Sequence, residues 1–166
     1  MSKLAHLRVY RFDPGAVFEG GLLAALERMQ LGEDWKLLDV LFVTRDATSG
    51  EFEAVDLGTG GADATLASLL DFRLDPGRRR ALTERTLAEH PGGVPRPLIE
   101  AIAATLEPGA AIFAVLHAGA SATVLEDAVA RCGGRRIADE PADNASTLAE
   151  VGQRLSTAVS SSSPKA

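Results

Sequence analysis

The sequence predicts an α+β fold in one domain, and three observations carry that prediction. Leu38–Leu57 reads as a strand hairpin, and Leu106–Gly134 as a helix stop, a strand and a further helix. With 166 residues the chain can bury a sizeable core without a disulfide or metal staple.

The elements follow in chain order. Leu4–Phe12 alternates apolar and polar residues (Leu7, Arg8, Val9, Tyr10, Arg11) and closes on Asp13-Pro14-Gly15, which predicts a first strand and a turn. Leu22, Leu26 and Met29 then recur at helical spacing, so a helix is expected from about Val17 to Leu31, stopped by Gly32. Val40-Leu41-Phe42-Val43 within Trp35–Arg45 is a short apolar run, and such a run suits a buried strand. Asp46–Gly50 supplies a turn, and Glu51–Leu57 the antiparallel partner strand.

Gly58-Thr59-Gly60-Gly61 breaks the chain before a helix over Ala62–Phe72, which carries Leu66, Leu69 and Leu70. Asp75-Pro76-Gly77 punctuates the next segment. Arg78–Glu89 reads as a helix with Leu82 and Thr86 on one face, and Pro91–Pro97 as a stiff loop. Pro97 in a first turn, followed by Leu98, Ile99, Ile102 and Leu106, predicts a strongly periodic helix stopped by Pro108-Gly109. These helices form an extra insertion in the middle of the domain.

Ala110–Leu116 is apolar on both faces and therefore central in the sheet. Ser121 or Thr123 can cap the next helix, lined by Leu125, Ala128 and Val129 and ended by Gly133-Gly134. Arg135–Asp139 suits a polar edge strand, and Thr147–Val159 an amphipathic helix through Leu148, Val151 and Leu155. The domain is expected to span residues 1–159, with 160–166 a serine-rich flexible tail.

Composition excludes several functions. There are 17 basic and 23 acidic residues, for a formal charge of −6, and an acidic surface of this kind repels a phosphate backbone; nucleic acid is not an expected partner. The longest mainly apolar run, Gly109 to Ala120, falls well short of the roughly 20 residues that span a bilayer, so no direct membrane insertion is expected. His6, Arg8 and Arg11 interrupt any leader-like stretch at the N-terminus. Together with the single cysteine, Cys132, this makes the cytoplasm the expected location.

Leu37–Asp46, the following Gly50–Val55 and the later Leu106–Leu116 resemble a family of small bacterial α+β domains of unknown function. Some relatives in that family carry a glycine-rich membrane hairpin in the middle. Here the corresponding segment, Thr59–Pro97, is interrupted by Asp63, Asp71, Arg73, Asp75 and Arg78–Arg80, so this chain resembles a variant without the hairpin. The resemblance covers most of Ala16–Gly134 and implies a fold similar to the ferredoxin-like sandwich, with a mixed sheet of four to five strands and helices packed on it. It implies no activity.

No catalytic set is visible. His117 sits at the carboxyl end of an apolar strand, followed by Gly119-Ala120-Ser121 before a helix start, where ligands and anions collect in α/β units. A strand-end histidine beside a capping serine accounts for the same pattern without chemistry. Arg78, Arg79 and Arg80 could grip a phosphate or carboxylate, although a solvated helix face explains them equally well. Cys132 at a helix end is poorly placed to become a thiolate and reads as a small core residue. Asp46 belongs to a turn, and the sequence identifies no partner for Asp39. His6, His90 and His117 are too scattered for a metal motif, the glycines of 58–61 match no nucleotide fingerprint, and no cofactor is expected.

Two functions therefore compete. The first is a non-enzymatic module that associates with itself, as a homodimer, or with another protein. The alternative is a small-ligand-binding or enzymatic domain with an anionic-ligand pocket near His117, Gly119 and Ser121, reached by Arg78–Arg80.

Overall fold

Ala111–Ala118 contains no lysine, arginine or carboxylate, and all eight residues are buried as the middle strand of a sheet. The computed structural model describes residues 4–15, 21–31, 36–56, 75–88, 94–119, 123–143 and 152–162. Over these the order is β1 (Leu4–Phe12), α1 (Gly21–Leu31), β2 (Lys36–Arg45), β3 (Phe52–Asp56), α2 (Pro76–Leu87), α3 (Arg96–Ala104), β4 (Ala111–Ala118), α4 (Thr123–Arg131), β5 (Gly134–Asp143) and α5 (Gly152–Ser162). The helix expected over Ala62–Phe72, the glycines of 58–61, the loop at 91–93 and Ser121 lie outside the described residues.

The sheet has five strands in the order β3-β2-β4-β1-β5, and every neighbouring pair is antiparallel. This corrects two expectations. The sheet is not mixed, and its strand order is not the ferredoxin-like one. β1 and β2 run in the same direction, yet β4 lies between them, and β1 likewise separates β4 from β5. Each strand–helix–strand unit is thus split by an antiparallel strand, which removes the parallel pairs.

Alternation along the strands divides the core into two. On the first face Tyr10, Phe12, Val40, Phe42, Phe113 and Val115 meet Leu22, Leu26 and Met29 of α1 and Leu125, Ala128 and Val129 of α4. On the second, Leu7, Val9, Leu41, Val43, Ile112 and Ala114 meet Ile99, Ile102 and Ala103 of α3 and Leu155 and Val159 of α5. Helices therefore cover both faces. The two sides explain why β4 reads as a continuous apolar run instead of an alternating one.

Local chemistry sets the joints. Asp46 accepts hydrogen bonds from the N–H groups of Ser49 (2.8 Å) and Thr48 (3.2 Å) and closes the β2–β3 hairpin. Those bonds, the Ser49 backbone first, hold its carboxyl below the usual range. Gly133 takes φ +89° after α4, a left-handed conformation that favours glycine. At Gly134 a Cβ would lie 2.5 Å from the Phe12 ring and 2.8 Å from Val129, so only glycine lets β5 approach the first core this closely. The last helix runs through Ser162, so the serine run begins as helix where a tail was expected.

The outer edge of β3 is closed by α2. Asp75 caps this helix, accepting from the N–H groups of Gly77 (2.9 Å) and Arg78 (3.4 Å), with Pro76 in the first turn. The helix then presents two threonine hydroxyls to the strand: Ala54 N–H donates to Thr83 Oγ1 and Asp56 N–H to Thr86 Oγ1, both at 3.1 Å. Side chains thus satisfy strand donors that would otherwise be open to another chain. Replacing Thr83 or Thr86 by valine is expected to lower stability by about 1 kcal/mol each, because an amide loses its acceptor at nearly constant side-chain volume. Denaturant unfolding checks this, and unchanged midpoints would show that the hydroxyls do not hold the edge.

Candidate functional site

The described residues gather their polar groups at one end of the first face. In the β1–β4 pairing His6 stands opposite His117, and their rings stack with centroids 5.8 Å apart at 24°. His117 is fully buried, whereas the His6 side chain keeps 26 % of its exposure and places Nδ1 3.5 Å from Asp139 Oδ1. Two residues along β1, Arg8 is also buried. Its Nη1 donates to Glu126 Oε1 of α4 at 3.0 Å, and its Nη2 lies 3.6 Å from Asp139 Oδ2 of β5. Arg136 completes the group, with Nη1 2.9 Å from Glu126 Oε2 and 3.7 Å from Asp139 Oδ2.

The network has a plain structural job. Glu126 joins α4 to β1 and β5, while Arg8 and Arg136 each sit between Glu126 and Asp139. Two guanidinium charges meet two carboxylates, so the cluster is balanced. Nothing cationic is left over to recognise an anion, and breaking one member would strand a charge in a half-buried site. Tyr10 lies next along the same face, and burial, with Glu126 beside it, raises its hydroxyl pKa so that it stays neutral.

Burial also lowers the His117 pKa to about 4, against a weaker opposing effect from the Ala118 carbonyl, which lies 3.4 Å from Nδ1. A neutral, fully enclosed imidazole packed on a second histidine is a core residue. A histidine poised to exchange protons with a substrate would need access.

The sequence-level candidates are not brought together. Gly119 follows His117 with φ +107° and marks the strand exit, while Ser121 is not among the described residues. Arg78, Arg79 and Arg80 occupy the first turns of α2, beyond β3. Arg78 and Arg80 are exposed, and Arg79 Nε lies 3.6 Å from Glu53 Oε2. Glu53 pairs with Thr44 and Thr44 with Ala111, so these arginines lie near the start of β4 while His117 lies near its end. That is a separation of about 20 Å along the strand alone, at roughly 3.4 Å per residue. Cys132 packs against the first core, as a small core residue would.

Two further charged residues are buried elsewhere: Asp39, weighed in the sequence, and Arg11, which the sequence did not single out. Asp39, at the irregularity in the β2–β4 pairing, accepts from its neighbour Val40 N–H at 2.9 Å. Arg11, 1 % exposed, has Asp13 Oδ1 at 3.6 Å as its ion-pair partner, and none of its guanidinium nitrogens makes a hydrogen bond among the described residues. No group of three His, Cys, Asp or Glu side chains able to hold a metal occurs among the described residues, and no helix there is long and apolar enough to cross a membrane.

A different feature offers room. A groove of about 590 Å³ runs beside β5, lined by the strand from Ile137 to Glu140 and by Gln153, Arg154, Thr157 and Ala158 of α5. β5 is ten residues long, and its outer side pairs with no strand among the described residues. Beside an open strand edge, such a groove can take the alternate side chains of an added strand. No protein-family model, curated protein or solved structure matches the chain.

The enclosed histidine carries a pH signature. The unfolded chain takes up a proton on this residue near pH 6.5 and the folded chain near pH 4, so the unfolded state binds more protons between those values. Stability is therefore complete above about pH 6.5 and falls by about 3 kcal/mol on acidification towards pH 4. Unfolding free energies across this range, compared between the natural protein and His117→Phe, test the assignment. The variant should lack that component of the slope, and an identical slope would place His117 in contact with water.

Proposed function

We propose that the chain is a non-enzymatic association module that engages a partner protein, or another copy of itself, through the outer edge of β5 and the groove between β5 and α5. The observation that carries this reading is the unequal treatment of the two sheet edges. Ala54 and Asp56 of β3 have their amides bonded to threonines of α2, whereas the outer side of β5 pairs with no strand among the described residues and borders a groove. An exposed strand edge offers a row of backbone donors and acceptors, and strand addition uses that row for affinity and the flanking groove for selectivity.

The reading does not rest on an uncovered sheet face, because α1 and α4 cover one face and α3 and α5 the other. The alternative, an anionic-ligand pocket at His117, is disfavoured by the charge balance around Arg8 and by the complete burial of the imidazole.

A panel of short extended peptides, one of them copying residues 134–143, tests this reading by amide chemical-shift changes in the full chain. Peptides that bind, or an increase in protein concentration, should shift the amides of Gly134–Asp143 and of α5 while leaving those of α1 and α2 in place. A panel in which neither peptide nor concentration perturbs β5 overturns the reading.

A further inference from the structure

The charge pattern of β5 is self-complementary, and a bulge makes it so. In its pairing with β1, Asp139 stands opposite Arg8 and Arg136 opposite Tyr10, which puts both on the first face. Glu140 opposite Leu7 and Arg135 opposite Arg11 belong to the second. Arg136 and Asp139 are three residues apart, and on a regular strand an odd separation would place them on opposite faces. The register shift between Val9 and Tyr10 leaves Ile137 as an extra residue and restores them to one side. Ile137 and Ala138 both pack against the second core.

From this arrangement we infer that the occupant of the β5 edge is a second copy of this chain, paired antiparallel about a two-fold axis between Ile137 and Ala138. In that register Arg136 faces the partner's Asp139 and Arg135 faces the partner's Glu140, and the axis repeats both pairs. Gly134 falls opposite the partner's Pro141. Throughout 134–141 each opposed pair lies on matching faces, and sliding the copy by one or two residues breaks the match at the bulge. The four charged side chains keep between 32 % and 52 % of their exposure, so they reach the edge. Arg136 and Asp139 also belong to the network with Arg8 and Glu126, whereas Arg135 pairs with Asp13 at 2.8 Å and Glu140 with Arg154 at 4.0 Å.

The same charges that ward off foreign strands admit an identical one, since like charges opposed across a ladder are unfavourable and opposite charges favourable. Pro141 bounds the paired stretch: it has no N–H, and its carbonyl already accepts from Arg154 Nη1 at 2.7 Å. The resulting interface is charged, so it weakens with salt.

This inference rests on the association reading, and its test separates the two. The variants are Arg135→Glu and Glu140→Arg, which leave the Arg8–Glu126–Asp139–Arg136 network intact. Sedimentation equilibrium over a wide concentration range should show a dimer for the natural chain and weakening by roughly tenfold or more for each variant alone. An equimolar mixture of the two should recover the dimer. The glutamate introduced in one chain then faces the arginine introduced in the other, and the unaltered Arg135 of the second chain faces the unaltered Glu140 of the first. A natural chain that stays monomeric overturns the inference, as does a dimer that neither variant weakens or a mixture that fails to recover. If peptides still perturb β5 in those cases, the association reading survives without the second copy. If they do not, both fall.

Discussion

Burying β4 on both sides is the constraint from which the rest of the structure follows. A strand with eight enclosed residues needs neighbours on both edges and a layer of helices on each face. β1 and β2 supply the edges, and α1 with α4 and α3 with α5 supply the layers. With the faces closed, the sheet can meet another chain only along its outermost strands. One of those is sealed by Thr83 and Thr86, and the functional reading turns on the other.

The polar network on the first face illustrates how buried charge can be structural. Arg8 would be costly alone, but Glu126 and Asp139 meet it from two different elements, and Arg136 balances the pair. The arrangement fixes α4 over β1 and β5, and so holds in place the strand whose outer side carries the proposed interface. The stacked histidines close the same end of the core. Residues that look reactive one at a time become, once assembled, the fastening of an edge strand.

Much of the fold was legible because local pattern and tertiary role agree. β1 falls where period-two alternation placed it, Leu4–Phe12, and the hairpin of β2 and β3 follows its Asp46–Gly50 turn. β4 was readable as central from its unbroken apolar run, and Leu82 and Thr86 do lie on the buried face of α2. What escaped is what depends on long-range register. Nothing local announces that His6 will lie against His117, or that Arg8 will meet Glu126 across 118 residues. The last strand was expected over Arg135–Asp139 and runs from Gly134 to Asp143, because an edge strand tolerates Pro141 where no partner needs its N–H. Arg11 shares a side of β1 with Leu7 and Val9, and no local pattern announces that a guanidinium will be enclosed there. Its position opposite Ile112 puts it on the second face and enclosed.

The difference between the two sheet edges is open to direct observation by residue-resolved amide hydrogen exchange at several protein concentrations. If α2 seals one edge and β5 lies open on the other, Ala54 and Asp56 exchange slowly at every concentration. The β5 amides that do not face β1 then exchange fast in dilute solution and slow down as the protein is concentrated. Equal, concentration-independent protection of β5 and β3 would contradict the account.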